Sequence, residues 1–190
     1  MTFRTALLAA CLAAPAAFAQ APAAIWPTRD VTVTFNAPPQ MGGQTMQMAF
    51  AAQDRLARMD MGPQGYGIID TTAKRMTMVM PAQRIYMVMT VPDGASVSTD
   101  LADHIFTRVG TRKVAGLACT DWRAQPKAHP DQQAVVCLTD DGVMLRTEVG
   151  AGDFVTEAKE VRYGALDPGL FRVPDGFTRM DMPGGMPRQR

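Results

Sequence analysis

Residues 74–91 read Lys74-Arg-Met-Thr-Met-Val-Met80, then Pro81-Ala82-Gln83, then Arg84-Ile-Tyr-Met-Val-Met-Thr-Val91. Met76, Met78 and Met80 are separated by Thr77 and Val79, and Met87 and Met89 by Val88. In a strand, successive side chains point to opposite faces, so a repeat of two predicts strands. A helical period would scatter these methionines around a cylinder, whereas strands collect them on one face. The Pro-Ala-Gln turn between the two runs predicts a hairpin from Lys74–Met80 to Arg84–Val91.

The same alternation extends in both directions. Val31, Val33 and Phe35 alternate with threonines, and Met46, Met48 and Phe50 with Gln47 and Ala49. Leu56 to Met61 reads as a strand. Tyr66 to Asp70 reads as another, joined to Lys74–Met80 through Thr71-Thr72-Ala73. Strands resume at Arg108–Ala115, Leu117–Arg123, Ala134–Leu138, Val143–Val149 and Phe154–Tyr163. Pro92-Asp93-Gly94 interrupts the series, and Ser98 or Thr99 could cap a short helix over Asp100–Phe106. The prediction is a mostly β domain of some nine to eleven strands. They form an antiparallel meander curled into an open half-barrel, with one short helix at its mouth.

The start of the chain has the layout of a cleavable export signal. Arg4 is followed by an Ala/Leu-rich run from Ala6 to Ala17 and the small-residue site Ala17-Phe18-Ala19. The run is too short for a bilayer span of about 20 residues. The expected organisation is a signal peptide over 1–19, a linker over 20–27 and a single domain over 28–178. A tail rich in Met, Gly, Pro and Arg follows over 179–190. The expected location is the periplasm, and Leu8-Ala9-Ala10-Cys11 leaves a lipid-anchored form through Cys11 as the alternative. Without residues 1–19, 18 basic side chains face 18 acidic ones. That balance lacks the basic excess of a nucleic-acid binder.

Two cysteines then remain, Cys119 and Cys137, and an even count in an oxidising compartment predicts a disulfide. The turn-forming stretch Gln125–Asp131 lies between their strands. A hairpin centred on Ala128 would set the two cysteines opposite each other, within bridging distance.

The methionines leave three uses open. They can fill ordinary core gaps, or form an adaptable apolar lining for a lipid or acyl ligand. The third use is copper(I) binding, for which soft thioethers are suited. For copper the tail residues Met180, Met182 and Met186 are the candidates, because a soft-metal site needs only three or four accessible sulfurs. The candidate ligand-binding set is Met46, Met48, Met76, Met78, Met80, Tyr86, Met87 and Met89.

No catalytic constellation emerges. His104 and His129 are the only histidines, and Ser96 and Ser98 the only serines. Gly65-Tyr66-Gly67 does not lead from a strand into a helix, so it is not a phosphate loop. Asp140-Asp141 precedes Gly142 as a turn signature. No zinc-type ligand spacing appears. The reading is a non-enzymatic domain without a cofactor.

Several segments resemble bacterial exported domains of unknown function. They are Arg58-Met-Asp60, Gly67-Ile-Ile-Asp70, Met76–Met80, Gln83–Tyr86, Asp141–Glu148 and Val173–Phe177. Those domains are similar in architecture to the periplasmic lipoprotein carriers (LolA-like), whose open barrel holds acyl chains. The resemblance spans roughly 29–182 and implies that fold and the handling of an apolar ligand. The carriers' inward arginine is unmatched, with Arg58, Arg75 and Arg84 all open. The expected function is binding of an apolar or lipid-like ligand. The alternatives are an interaction domain with an envelope protein partner and copper(I) handling through the tail.

Overall fold

The computed structural model describes residues 21–36, 43, 45–91, 101–150, 152 and 154–181. Residues 1–19 with Cys11, where a signal peptide is expected, and Ser96, Ser98, Met182 and Met186 lie outside these.

Twelve strands appear among the described residues. Val31–Asn36 (β1), Thr45–Ala51 (β2), Leu56–Asp60 (β3), Tyr66–Asp70 (β4), Arg75–Met80 (β5) and Ile85–Thr90 (β6) form one meander. His104–Val114 (β7), Leu117–Pro126 (β8), Ala134–Leu138 (β9), Met144–Val149 (β10) and Phe154–Tyr163 (β11) form a second. Antiparallel pairing of β1 with β11 joins them. Thr178–Arg179 (β12) adds to β6 in parallel. The sheet runs from β12 at one edge to β7 at the other without closing. The fold is therefore an open half-barrel, mostly β, as the alternation predicts.

The helix expected over Asp100–Phe106 is corrected. Leu101–Asp103 forms one 3-10 turn, and His104 already pairs with Pro126 at the start of β7. Ile105, Thr107 and Val109 favour extended backbone, and Phe106 packs edge-on against Trp122 with ring centres 6.4 Å apart. Between β7 and β8, Ala115 and Gly116 both have positive φ, at 49° and 80°. Such a two-residue loop matches the twist of its flanking strands.

Cys119 and Cys137 are joined, with Cα atoms 5.4 Å apart. The register differs from a hairpin centred on Ala128: Cys137 faces Asp121, and Thr120 faces Leu138. The bond is diagonal. It lies in a buried cluster with Val31, Val33, Phe35, Leu145 and Ala158.

A second buried cluster lies on the opposite face of β2–β6. Ala49, Ala51, Tyr66, Ile68 and Val79 are covered there by Leu166, Leu170, Phe171, Val173 and Phe177 of the segment after β11. The segment is held at three places. Arg58 donates from Nη1 to the Leu170 carbonyl at 3.1 Å. The Thr178 amide donates to the Arg84 carbonyl, and the Met180 amide to that of Tyr86. This C-terminal strap closes one face of the sheet and leaves the other to form the site.

Candidate functional site

The pairing register sorts the methionines. Met48 faces Met59, Met59 faces Gly67, Gly67 faces Met78, and Met78 faces Met87. One row across five strands thus carries four methionines and a glycine. In the next row Phe50, Ala57, Ile69, Met76 and Met89 are consecutive partners. Met80 pairs with Ile85, and Met46 with Phe35. Directly paired residues share a sheet face, so Met46, Met48, Met59, Met76, Met78, Met80, Met87 and Met89 all lie on one face. Each is half-buried.

The other face of these strands has a different composition. Thr77, Val79, Tyr86 and Val88 point there from β5 and β6. Methionine placement therefore follows the face, not the strand. Tyr86 sits apart from the methionines, packed beneath the strap.

The methionine face turns toward the second meander at a cavity to which it contributes Met48, while Met46, Met76, Met78, Met80, Met87 and Met89 do not line that cavity. Met48 and Phe50 from the first meander and Phe106, Leu138 and Met144 from the second line a single cavity of about 210 Å³, with Trp26 at one end. An adjoining open cleft of about 970 Å³ is bordered by Lys74, His104, Lys127, Gln133, Thr147 and Val149. The cleft is within the range of small-molecule sites, roughly 300–1,000 Å³.

Trp26 is held where it is by several contacts. Its Nε1 donates to the Ala52 carbonyl at 3.2 Å, and its ring meets Phe50 edge-on at 5.4 Å. The Ala52 amide donates to Asp30 at 2.9 Å. Below Trp26 lies Gly142, where an added Cβ would collide with the Trp26 carbonyl. Next to Gly142, the Asp141 carboxylate accepts from Arg29 at 2.9 Å, from the Thr139 hydroxyl at 2.5 Å and from Tyr163 at 3.3 Å. The Arg29 guanidinium also lies 3.8 Å above the Tyr163 ring. Burial presses the Asp141 carboxyl upward, but hydrogen bonds from Thr139, Arg29 and Tyr163 outweigh it and hold it below the usual carboxylate value. Burial, with the Asp141 charge, raises the Tyr163 phenol. Asp141 is thus more than a turn residue: it anchors the segment preceding β1. Nothing in the local sequence signals that role, because its partners lie 22 and 112 positions away.

None of the three candidate arginines faces the cavity. Arg58 stacks over Tyr66 at 3.6 Å on the strap side and pairs with Asp60. Arg75 pairs with Asp70, and Arg84 lies against Gly176 of the strap. His104 is at the cleft, and His129 is exposed in the β8–β9 loop. Met180 is 44% exposed. Among the described residues no group of three or more His, Cys, Asp or Glu side chains could hold a metal ion. No helix among them is long and apolar enough to cross a membrane.

A family model described as "Domain of unknown function (DUF4412)" matches residues 32–147, more than half of the chain. No curated protein matches the sequence. Among solved structures, an uncharacterized conserved protein from Thermus thermophilus is similar in fold, with a TM-score of 0.56 at 12% identity. That match covers 81% of this chain and 91% of the other. MucB is similar with a TM-score of 0.52 at 13% identity over 80% of this chain, which spans 59% of MucB. At these identities the likeness is one of fold.

Proposed function

The chain belongs to the DUF4412 family, and on that premise we propose that it is a non-enzymatic binding module of the cell envelope. Its ligand is apolar or lipid-like and lies against Met46, Met48, Met76, Met78, Met80, Met87 and Met89. One observation carries this reading: methionine collects on one face of β2, β5 and β6, half-buried, while the strap covers the opposite face. Unbranched, polarisable side chains on an open face adapt to varied apolar partners. The export-type start of the chain and the Cys119–Cys137 disulfide support an oxidising, extracytoplasmic location.

Native mass spectrometry of protein purified without detergent tests the reading, with titration of a fluorescent long-chain fatty acid as a second measurement. A co-purifying adduct, or saturable binding weakened at least about tenfold by Met78→Asp through burial of an unpaired charge, is the expected result. The absence of both an adduct and saturable binding would overturn it.

A second reading, docking of an envelope protein, is favoured by β7. This strand is 11 residues long and lies at the sheet edge, with Ile105 51% and Val109 52% exposed. An unpaired edge can accept a partner strand. Crosslinking from a cysteine placed at Ile105 in whole envelopes discriminates: a single specific protein adduct favours this reading.

A further inference from the structure

The geometry points to a binding site for a soft monovalent cation, Cu(I), at the notch over Gly67, built from the thioethers of Met59, Met76, Met78 and Met87. It is a different site from the tail methionines and does not depend on the apolar-ligand reading.

The notch is a gap in the methionine row. Gly67 stands between Met59 of β3 and Met78 of β5, and Met87 of β6 follows. Gly67 does not have a positive φ, so the backbone there makes no demand for glycine. Glycine inside a strand weakens it and often marks a place where another group approaches closely. Here that group is the methionine termini. A Cβ on Gly67 would meet Met76 Cε at 3.0 Å and Met78 Sδ at 3.5 Å. Two thioether ends therefore already bend over the glycine. Met59 borders it from the other side, and Met87 is next to Met78. Adjacent strands are about 4.8 Å apart, so Met59 and Met78 flank the gap within reach of side chains having three rotatable bonds.

Donor type selects the ion. Thioethers are soft and favour Cu(I), while imidazole and carboxylate suit harder ions. The four sulfurs are on a face without a cluster of His, Cys, Asp or Glu among the described residues. An apolar lining alone would not require sulfur. β-Branched residues fit strands better, and Thr77, Val79 and Val88 occupy the opposite face of the same hairpin. Half-burial leaves the site open to an entering ion.

The test uses the full mature chain and Ag(I), which is redox-stable and as soft as Cu(I). Ag(I) is titrated against a competing chelator while the methionine methyl resonances are followed. The expected result is that Met59, Met76, Met78 and Met87 shift together and saturate at one equivalent. Met78→Leu and Gly67→Val should each weaken binding by at least about 100-fold, no less than the loss of an outer-shell partner at a metal site. Gly67→Val keeps every sulfur and fills only the notch. Met180→Leu should change nothing. Unchanged affinity in Met78→Leu, shifts spread over all methionines, or the absence of saturation would each overturn the site. If Gly67→Val does not fold, Met59→Leu and Met78→Leu decide.

Discussion

Gly142 leaves open the space that the backbone carbonyl of Trp26 occupies. An added Cβ would also come within 2.9 Å of Ala24 Cβ, and Gly142 has φ +81°. Gly142→Ala therefore combines a backbone collision with a left-handed conformation that costs L-residues roughly 1–2 kcal/mol. A loss of at least about 2 kcal/mol is expected. Urea denaturation checks it as a lowered midpoint with an unchanged slope.

Arg58 joins the sheet to the strap through Tyr66, Asp60 and the Leu170 carbonyl. Its side chain is only 17% exposed. Arg58→Met should cost about 1–3 kcal/mol, the scale for leaving a buried polar partner unsatisfied. Arg58→Lys should not restore it, because an ammonium cannot reproduce the planar stack and fork. Hydrogen exchange should quicken at Thr178 and Met180, whose amides hold the strap to β6, while amides of β8 and β9 stay protected.

The disulfide closes a loop with a sequence separation of 18. Chain-entropy reasoning gives it about 3 kcal/mol. The Cys119→Ala/Cys137→Ala double variant should lose that amount. The chain without residues 1–19 should show no free thiol until reductant is added, and then two. Free thiols beforehand would contradict the bond.

Asp141 has a lowered pKa in the folded state. The stability it contributes is present above the unfolded carboxyl value near 3.8 and is lost as pH falls through the lowered folded value. Asp141→Asn should therefore be less stable at neutral pH, by about 1 kcal/mol after allowing for solvent exposure. The difference should vanish in strong acid. Tyr163 has a raised pKa, so its contribution is complete below about pH 10 and disappears as pH rises through the folded value. Urea titrations from about pH 2 to about pH 11 on wild type, Asp141→Asn and Tyr163→Phe check both limbs.

Much of the sheet was legible because its alternation is local. Met76 and Met78 declare a shared face by spacing alone, as do Met87 and Met89, and β1 and β2 follow from the same rule. That rule also separates Tyr86 from the methionines, since it alternates with Ile85 and Met87; aromaticity suggested the opposite grouping. Alternation cannot say which face becomes concave, because curvature comes from the β1–β11 junction and from what covers the sheet. The strap residues Leu166, Leu170, Phe171, Val173 and Phe177 keep neither helical nor strand period, so their packing was invisible. The hairpin register at Cys137 depends on a loop rich in turn formers, which allows more than one centre. At His104 and Phe106, pairing with β8 prevailed over a weak capping signal.

The junction of β1 with β11 bears on the order of folding. Every other antiparallel pairing joins consecutive strands, so both meanders can zip locally and quickly. Closing β1 onto β11 requires bringing together residues such as Val31 and Tyr163, and contacts of such separation form slowly. The edge of β1 should thus stay uncovered through most of folding, and its Val31-Thr-Val-Thr-Phe35 pattern is strongly β-forming. The interval before β11 arrives is when this chain is most exposed to pairing with the wrong strand.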